Sequence, residues 1–175
     1  EEDSVDERMW GWTVEQWTGH VARLCKRPAV TPSELGAVAR AWVCGGNTSD
    51  DVSPDPDTPW GRAQLRRILL DVRVRELVDG GVHVDDTSSL WVDATVEIAP
   101  GAHLGPGVRL VGTTTVAAGA TVQLGCHLTD TEVGEGAVVK PHTVTDGARI
   151  GPGAAVGPCA HLRTGADLGR DVKVG

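Results

Sequence analysis

The chain has 175 residues and a formal net charge of -8 at pH 7, with 24 acidic and 16 basic side chains. It contains no apolar run of about 18 residues and no basic start followed by an apolar stretch, so we expect a cytoplasmic protein of one or two domains without a membrane partner. The acidic balance argues against a nucleic-acid partner.

Residues 1–58 are predicted to form a divergent helical or irregular segment. Five of the six tryptophans and two of the four cysteines lie within residues 1–60. One helix is predicted around residues 13–26 and a second over 32–43, where Thr31 is a suitable N-cap and Pro32 a suitable first residue. Residues 45–59 have the composition of a linker. The tryptophans have two interpretations, a small core against the next helix or an exposed patch for a partner.

A linker helix is predicted over residues 59–81. Thr58 and Pro59 begin it, and Gly80 and Gly81 end it. Its apolar residues approximate one face: Leu65, Leu69, Val72 and Leu77. Its arginines are Arg62, Arg66, Arg67, Arg73 and Arg75. They resemble a stripe for binding phosphate or nucleic acid, but interleaved acidic residues favour a solvated face.

An aliphatic residue then returns at a nearly constant interval of six positions. The series is Val92, Ile98, Leu104, Leu110, Val116, Val122, Leu128, Val133, Val139, Val144, Ile150, Val156, Leu162, Leu168 and Val174. The steps from Leu128 to Val133 and from Val139 to Val144 have five residues. This period fits neither an α-helix nor a simple strand, and it is typical of hexapeptide repeats that build parallel β-helices. We therefore predict a mainly β fold, a left-handed parallel β-helix of about five coils over residues 82–175.

Small residues and glycines fill defined places in each hexad. A small side chain follows most aliphatic positions by four residues and is predicted to face the narrow interior. These residues are Ala102, Thr114, Ala120, Cys126, Ala137, Thr143, Ala148, Ala154, Ala160 and Ala166. Glycines between them are predicted to adopt positive φ at the corners. The cysteines lack the spacing of zinc ligands, and no metal site is predicted.

The sequence from Gly61 to Gly175 resembles a known bacterial family. Its helix reads GRAQLRRILLDVRVRELVDGGV, its entry into the repeat HVDDTSSLWVDATVEI, and a later segment IGPGAAVGPCAHLRTGADLG. Together they resemble the bifunctional N-acetylglucosamine-1-phosphate uridyltransferase and glucosamine-1-phosphate acetyltransferase. The resemblance implies a role in UDP-N-acetylglucosamine and cell-wall biosynthesis, with acetyl-CoA and Mg²⁺ as cofactors of complete relatives. It also implies a homotrimer.

The resemblance implies one substrate-binding residue. The family's LRPG segment supplies an arginine to the sugar phosphate, and Arg163 in LRTG matches it, so glucosamine-1-phosphate is a possible ligand. A guanidinium suits this role because it can donate two hydrogen bonds to one phosphate. Thr164 replaces the family's proline and is expected to loosen this corner. Without the resemblance, an exposed turn residue is the favoured interpretation of Arg163.

No catalytic residue is predicted on this chain. The family's base and most acetyl-CoA contacts correspond to positions beyond Gly175, and residues 1–60 lack a glycine-rich loop for nucleotide phosphates. The histidines of the repeat show no spacing of one full coil and are interpreted as structural or solvent-facing. They are His83, His103, His127, His142 and His161.

Three hypotheses follow. The chain is a truncated or divergent relative of the bifunctional family, incomplete and inactive alone, or it is a noncatalytic trimerising scaffold that displays the Trp-rich segment. The third hypothesis is another hexapeptide protein, such as a γ-type carbonic anhydrase or an ice-binding solenoid. It fares worst, because no three histidines are placed to converge on zinc and the threonines from Thr113 to Thr121 form only a local cluster.

Overall fold

A computed structural model describes residues 8–9, 12–24, 54 and 58–175. The predicted helix over residues 32–43 and most of the predicted linker lie outside this part. The chain divides into two compact units, Glu1–Arg75 and Glu76–Gly175. The three-part division at residues 58 and 81 stays a prediction. Within the described part, no helix is long and apolar enough to cross a membrane.

The first unit contains a short hairpin and a helix. Strands β1 (Arg8–Met9) and β2 (Trp12–Thr13) pair antiparallel. Helix α1 (Val14–Leu24) follows at once and confirms the helix predicted around residues 13–26. Trp17 and Val21, four residues apart on one face of α1, are each 1% exposed. Trp17 therefore belongs to a core, whereas Trp60 is 73% exposed.

Helix α2 (Pro59–Asp79) begins and ends at the predicted signals. The Thr58 hydroxyl accepts a hydrogen bond from the Gly61 N–H at 3.0 Å, which caps its first turn. At the other end the N–H groups of Gly81 and Val82 donate to the carbonyls of Val78 and Leu77, at 3.0 and 2.9 Å. Gly81 has φ +92°, so this is a Schellman motif.

The predicted apolar face of α2 is buried, but so are Ile68, Leu70 and Val74, so the burial is not confined to that face. All four residues of the predicted apolar face, Leu65, Leu69, Val72 and Leu77, are buried. On the polar side the Arg67 guanidinium lies 3.0 Å from the Asp71 carboxylate, one helical turn away. This pair supports a solvated, internally paired face.

The second unit is a β-solenoid of about five turns built from three parallel sheets. The sheets are named after their first strands: the β3 sheet has the order β3-β6-β9-β12-β15-β18, the β4 sheet β4-β7-β10-β13-β16, and the β5 sheet β5-β8-β11-β14-β17. The strands are β3 (His83–Val84), β4 (Trp91–Val92), β5 (Glu97–Ile98), β6 (His103–Leu104), β7 (Arg109–Val111), β8 (Thr115–Val116), β9 (Thr121–Val122), β10 (His127–Thr129), β11 (Glu132–Val133), β12 (Val138–Val139), β13 (Val144–Asp146), β14 (Arg149–Ile150), β15 (Ala155–Val156), β16 (His161–Leu162), β17 (Asp167–Leu168) and β18 (Lys173–Val174). The hexapeptide period thus predicted the fold class correctly.

The interior is filled by the aliphatic series and by the small residues between its members. Every predicted aliphatic position from Leu104 to Leu162 is buried except one, and the small residues from Ala102 to Ala154 are buried as well. Glycines at the corners have positive φ, as predicted, between 57° and 84° at Gly101, Gly107, Gly119, Gly125, Gly136, Gly147, Gly153 and Gly165. Close stacking of large and small side chains therefore excludes water from the solenoid.

Val144 is the exception, and its predicted inward position is wrong. Its side chain is 41% exposed, whereas its neighbour Thr145 is 1% exposed. Thr145 lies in register with the buried Leu128 of one neighbouring strand and Leu162 of the other. The second five-residue step therefore runs from Thr145 to Ile150, and not from Val139 to Val144 as predicted. Both short steps then fall at the same corner, between the β4 and β5 sheets, so that consecutive coils stack with matched corners.

Candidate functional site

Arg163 lies at a corner between the β4 and β5 sheets, directly after β16. Its side chain is exposed. Its carbonyl accepts a hydrogen bond from the Ala166 N–H at 3.0 Å, and Gly165 turns the chain with φ +84°. The corner thus presents a guanidinium to solvent from a defined backbone turn.

Thr164 fastens this corner to the coil below. Its hydroxyl donates to the Asp146 carboxylate at 3.2 Å, and the Gly165 N–H donates to the Gly147 carbonyl at 2.9 Å. Thr164 therefore links this corner to the adjacent coil, whereas the sequence led us to expect a looser corner. The register of β13 with β16 also continues to Asp146 and Arg163, which brings a carboxylate and a guanidinium to adjacent coils.

Two histidines that the sequence left unconnected meet at the start of the solenoid. His83 and His103 are register partners on β3 and β6, and their ring centroids lie 6.4 Å apart in an edge-to-face arrangement. The expectation that no histidines are spaced by one coil is therefore wrong. It failed because the first turn is longer than the later ones: these partners are 20 residues apart in the chain.

The longer turn also brings a carboxylate to His103. The His103 Nε2 lies 2.7 Å from Asp85 Oδ1, and both side chains are about half exposed. Asp86, the next residue, accepts hydrogen bonds from the hydroxyl and N–H of Ser88. Hydrogen bonds from Ser88 and Ser89 lower the pKa of Asp86 to about 2, so this turn stays folded around an ionised carboxylate at neutral pH.

A cleft of about 360 Å³ opens beside this pair, at the corner between the β3 and β4 sheets. Its polar lining includes Asp85, His103, Thr121 and Gln123, and its apolar lining includes Leu124 and Pro141. Leu124 is 46% exposed, an unusual environment for a leucine in this solenoid. The cleft lies at a different corner from Arg163, so the two are separate features.

The remaining histidines of the solenoid are His127, His142 and His161. His127 and His161 occupy the outward side of the β4 sheet, two coils apart, with Val144 between them in register. His142 has φ +58° at a corner, where its ring packs over Gly125. In the described part of the chain, no three His, Cys, Asp or Glu side chains are grouped to hold a metal ion.

Comparison with known proteins identifies homologues. No protein-family model matches the chain. The bifunctional protein GlmU of Kineococcus radiotolerans is 45% identical over 117 residues, 65% of this chain and 24% of that protein. Bifunctional GlmU proteins of Streptomyces coelicolor and Micrococcus luteus are each 44% identical over 113 residues, 65% of this chain and 23% and 22% of theirs. The chain thus spans about a quarter of the length of these relatives, and its matched two thirds are homologous to a part of bifunctional GlmU.

Proposed function

We propose that the β-solenoid of this chain serves acetyl transfer to glucosamine-1-phosphate, on the route to UDP-N-acetylglucosamine. The observation that carries the proposal is the 45% identity to a bifunctional GlmU over 117 residues. The exposed Arg163 corner supports it, because its LRTG segment matches at the arginine the LRPG segment to which the resemblance assigns sugar-phosphate binding, although Thr164 replaces the proline. We assign to this chain the binding of the sugar phosphate.

The chemistry of the corner suits a phosphate. An arginine can donate two parallel hydrogen bonds to phosphate oxygens and keeps its charge at any physiological pH. The neighbouring Asp146 carboxylate already accepts a hydrogen bond from the Thr164 hydroxyl, so it is less available to the guanidinium. The Ala166 and Gly165 backbone bonds hold the turn so that Arg163 is presented from a fixed base.

The proposal is tested by titrating the chain with glucosamine-1-phosphate, with calorimetry and NMR as readouts. Removing one charged hydrogen-bond donor costs about 1.5–3 kcal/mol, so we expect Arg163→Ala to weaken binding by roughly tenfold to a hundredfold. Arg170→Ala is the matched control, because Arg170 is equally exposed on a neighbouring corner. Unphosphorylated glucosamine should bind weakly to both variants and to the parent chain. Equal affinity of parent and Arg163→Ala would contradict the assignment.

An acetyl-CoA assay separates sugar-phosphate binding from turnover. No residue of this chain is assigned the role of a catalytic base. We therefore expect the chain alone to bind glucosamine-1-phosphate without acetylating it. Robust formation of N-acetylglucosamine-1-phosphate by the purified chain would show that expectation to be wrong.

A homotrimer is the second part of the proposal, and two outward faces of the solenoid support it. A closed ring requires two different surfaces that complement each other. The β4 sheet presents Trp91, Arg109, His127, Val144 and His161, and the β5 sheet presents Glu97, Thr115, Glu132, Arg149 and Asp167. The first face is basic and aromatic, with the Arg109 guanidinium 4.6 Å from the centre of the Trp91 ring. The second carries three acidic residues.

The two faces complement each other coil by coil. If solenoids stand parallel around a three-fold axis, residues of equal height meet, so His127 faces Glu132 of the next chain and His161 faces Asp167. Val144 then faces Arg149, and no like charges oppose each other. The corner that carries Arg163 joins these two faces and would point towards the neighbouring chains. The same surfaces support the alternative function, a noncatalytic trimerising scaffold, which is favoured if no sugar phosphate binds.

A further inference from the structure

We propose that the cleft beside Asp85 and His103 is a binding site for a neutral saccharide, independent of the Arg163 corner. Its volume of about 360 Å³ lies within the range of small-molecule sites, about 300 to 1,000 Å³. It is lined by residues of four successive coils, because Asp85, His103, Thr121 with Gln123, and Pro141 follow one another in the stack.

The polar wall of the cleft consists of Asp85, His103, Thr121 and Gln123, and the contact between Asp85 and His103 holds two of these side chains in place. In neutral histidine one ring nitrogen donates and the other accepts. The His103 Nε2 lies 2.7 Å from Asp85 Oδ1, and in the neutral tautomer that donates from Nε2 the Nδ1 atom is an acceptor for a ligand hydroxyl. The second oxygen of the Asp85 carboxylate is a further acceptor, while the Gln123 amide offers both a donor and an acceptor. A donor and acceptors at neighbouring points match the adjacent hydroxyls of a sugar ring.

The rest of the lining includes an apolar surface. Leu124 stays 46% exposed, and Pro106 and Pro141 lie beside it. Burying an exposed leucine under a ligand is favourable, at about 25 cal/mol for each Å² of apolar surface removed from water. The CH face of a pyranose ring is an apolar surface of suitable size, so a sugar can contact this apolar lining while its hydroxyls reach the polar wall.

The charge of the lining selects against phosphorylated sugars. Among the described residues that line the cleft there is no lysine or arginine, and Asp85 is its one carboxylate. A phosphate would meet that carboxylate with no lysine or arginine to compensate it, which raises its energy in a partly enclosed site. The ligand class is therefore an uncharged hexose or N-acetylhexosamine. Glucosamine-1-phosphate is expected to bind at the Arg163 corner and not in this cleft.

The test is NMR titration of the full chain with methyl glucoside and with N-acetylglucosamine, and glucose-1-phosphate as the charged comparison. We expect saturable shifts of the Thr121, Gln123 and Leu124 amides with the neutral sugars. Asp85→Asn and Gln123→Ala should each weaken this binding by about tenfold, the value of one or two hydrogen bonds. Glu135→Gln, an exposed carboxylate between β11 and β12, is the matched control and should leave it unchanged.

Arg163→Ala separates the two sites. This variant should bind neutral sugars like the parent chain even as it loses glucosamine-1-phosphate. Unshifted cleft amides at tens of millimolar sugar would overturn the proposal. So would stronger binding of glucose-1-phosphate, or full affinity in both Asp85→Asn and Gln123→Ala. The side chains of Asp85 and Gln123 are exposed or half-buried, and amide spectra outside the cleft will confirm that both variants fold.

Discussion

Thr145 is the residue whose surroundings differ most from those of its equivalents in the repeat. It occupies an inward position that is otherwise aliphatic, and its hydroxyl is 2.8 Å from the hydroxyl of the buried Thr131. Thr131 in turn donates to the Thr129 carbonyl at 2.7 Å, so Thr145 is the donor to Thr131. This chain of hydroxyls satisfies polar groups where the two coils have their short corners.

The order of donors predicts unequal effects of two similar substitutions. Thr131→Val removes the acceptor of Thr145 and leaves a buried hydroxyl unpaired, at a cost of about 1–3 kcal/mol in the free energy of unfolding. Thr145→Val leaves the bond from Thr131 to Thr129 intact and should cost less. The double variant should be at least as stable as Thr131→Val. Urea unfolding of the three variants measures this, and a larger loss in Thr145→Val would contradict the assigned direction.

The same threonine shows where sequence reasoning at single positions fails. Hydropathy favours Val144 over Thr145 as the inward residue, and the strand alternation allows either one. Register decides the matter: each side chain must stack on Leu128 and Leu162 of the adjacent coils. The requirement that both five-residue steps fall at the same corner selects Thr145 as the inward residue.

Corners are the elements that set the spacing of the coils. At Gly151 an added Cβ would lie 2.6 Å from the Leu168 carbonyl oxygen and 2.7 Å from the Gly169 carbonyl carbon. Both are backbone atoms of the next coil, so neither can move without displacing a strand. At Gly136, by contrast, an added Cβ meets nothing within 4 Å, and only the φ of +65° opposes a side chain.

These two glycines make a matched test of steric against conformational cost. Gly136→Ala should lose roughly 1–2 kcal/mol, the penalty of a left-handed alanine. Gly151→Ala must separate two coils or strain them, and we expect a clearly larger fall in the midpoint of thermal unfolding. Circular dichroism melts of both variants provide the measurement. An equal or smaller loss at Gly151 would mean that the coils can shift apart cheaply.

Element boundaries were predictable where local chemistry fixes them. Thr58, Pro59 and the two glycines after Asp79 determine both ends of α2 through hydrogen bonds to nearby backbone groups. The cleft was not predictable, because it depends on contacts between coils. Asp85 and His103 are brought together by the length of the first turn, and no local pattern reveals that length. Arg163 could be singled out only through the family resemblance.

At the scale of the whole molecule, the two complementary faces predict how the solenoid assembles. We expect light scattering after size exclusion to give a trimer mass, and Glu132→Arg to shift it towards monomer, because an arginine would then oppose His127 and lie near Arg109 of the next chain. Higher salt should weaken the assembly by screening these exposed charges.

Val138→Arg is the control for this prediction. Val138 follows Glu132 by one strand but lies on the β3 sheet, outside the proposed interface. It should leave the trimer intact. A monomer in the parent chain, or a loss of trimer in Val138→Arg alone, would exclude contact between the β4 and β5 faces.

Changes in the length of the first turn have different consequences for the cleft and for the repeats of the solenoid. Residues between Asp85 and Leu90 form an exposed excursion that rejoins the stack without disturbing the inward position of Val92, so a sequence change in their length does not alter the phase of later repeats. Yet Asp85, at the start of this excursion, is part of the cleft lining. Insertions and deletions there would alter what the cleft recognises while the inherited scaffold stays the same, so related chains can diversify in ligand preference at this one loop.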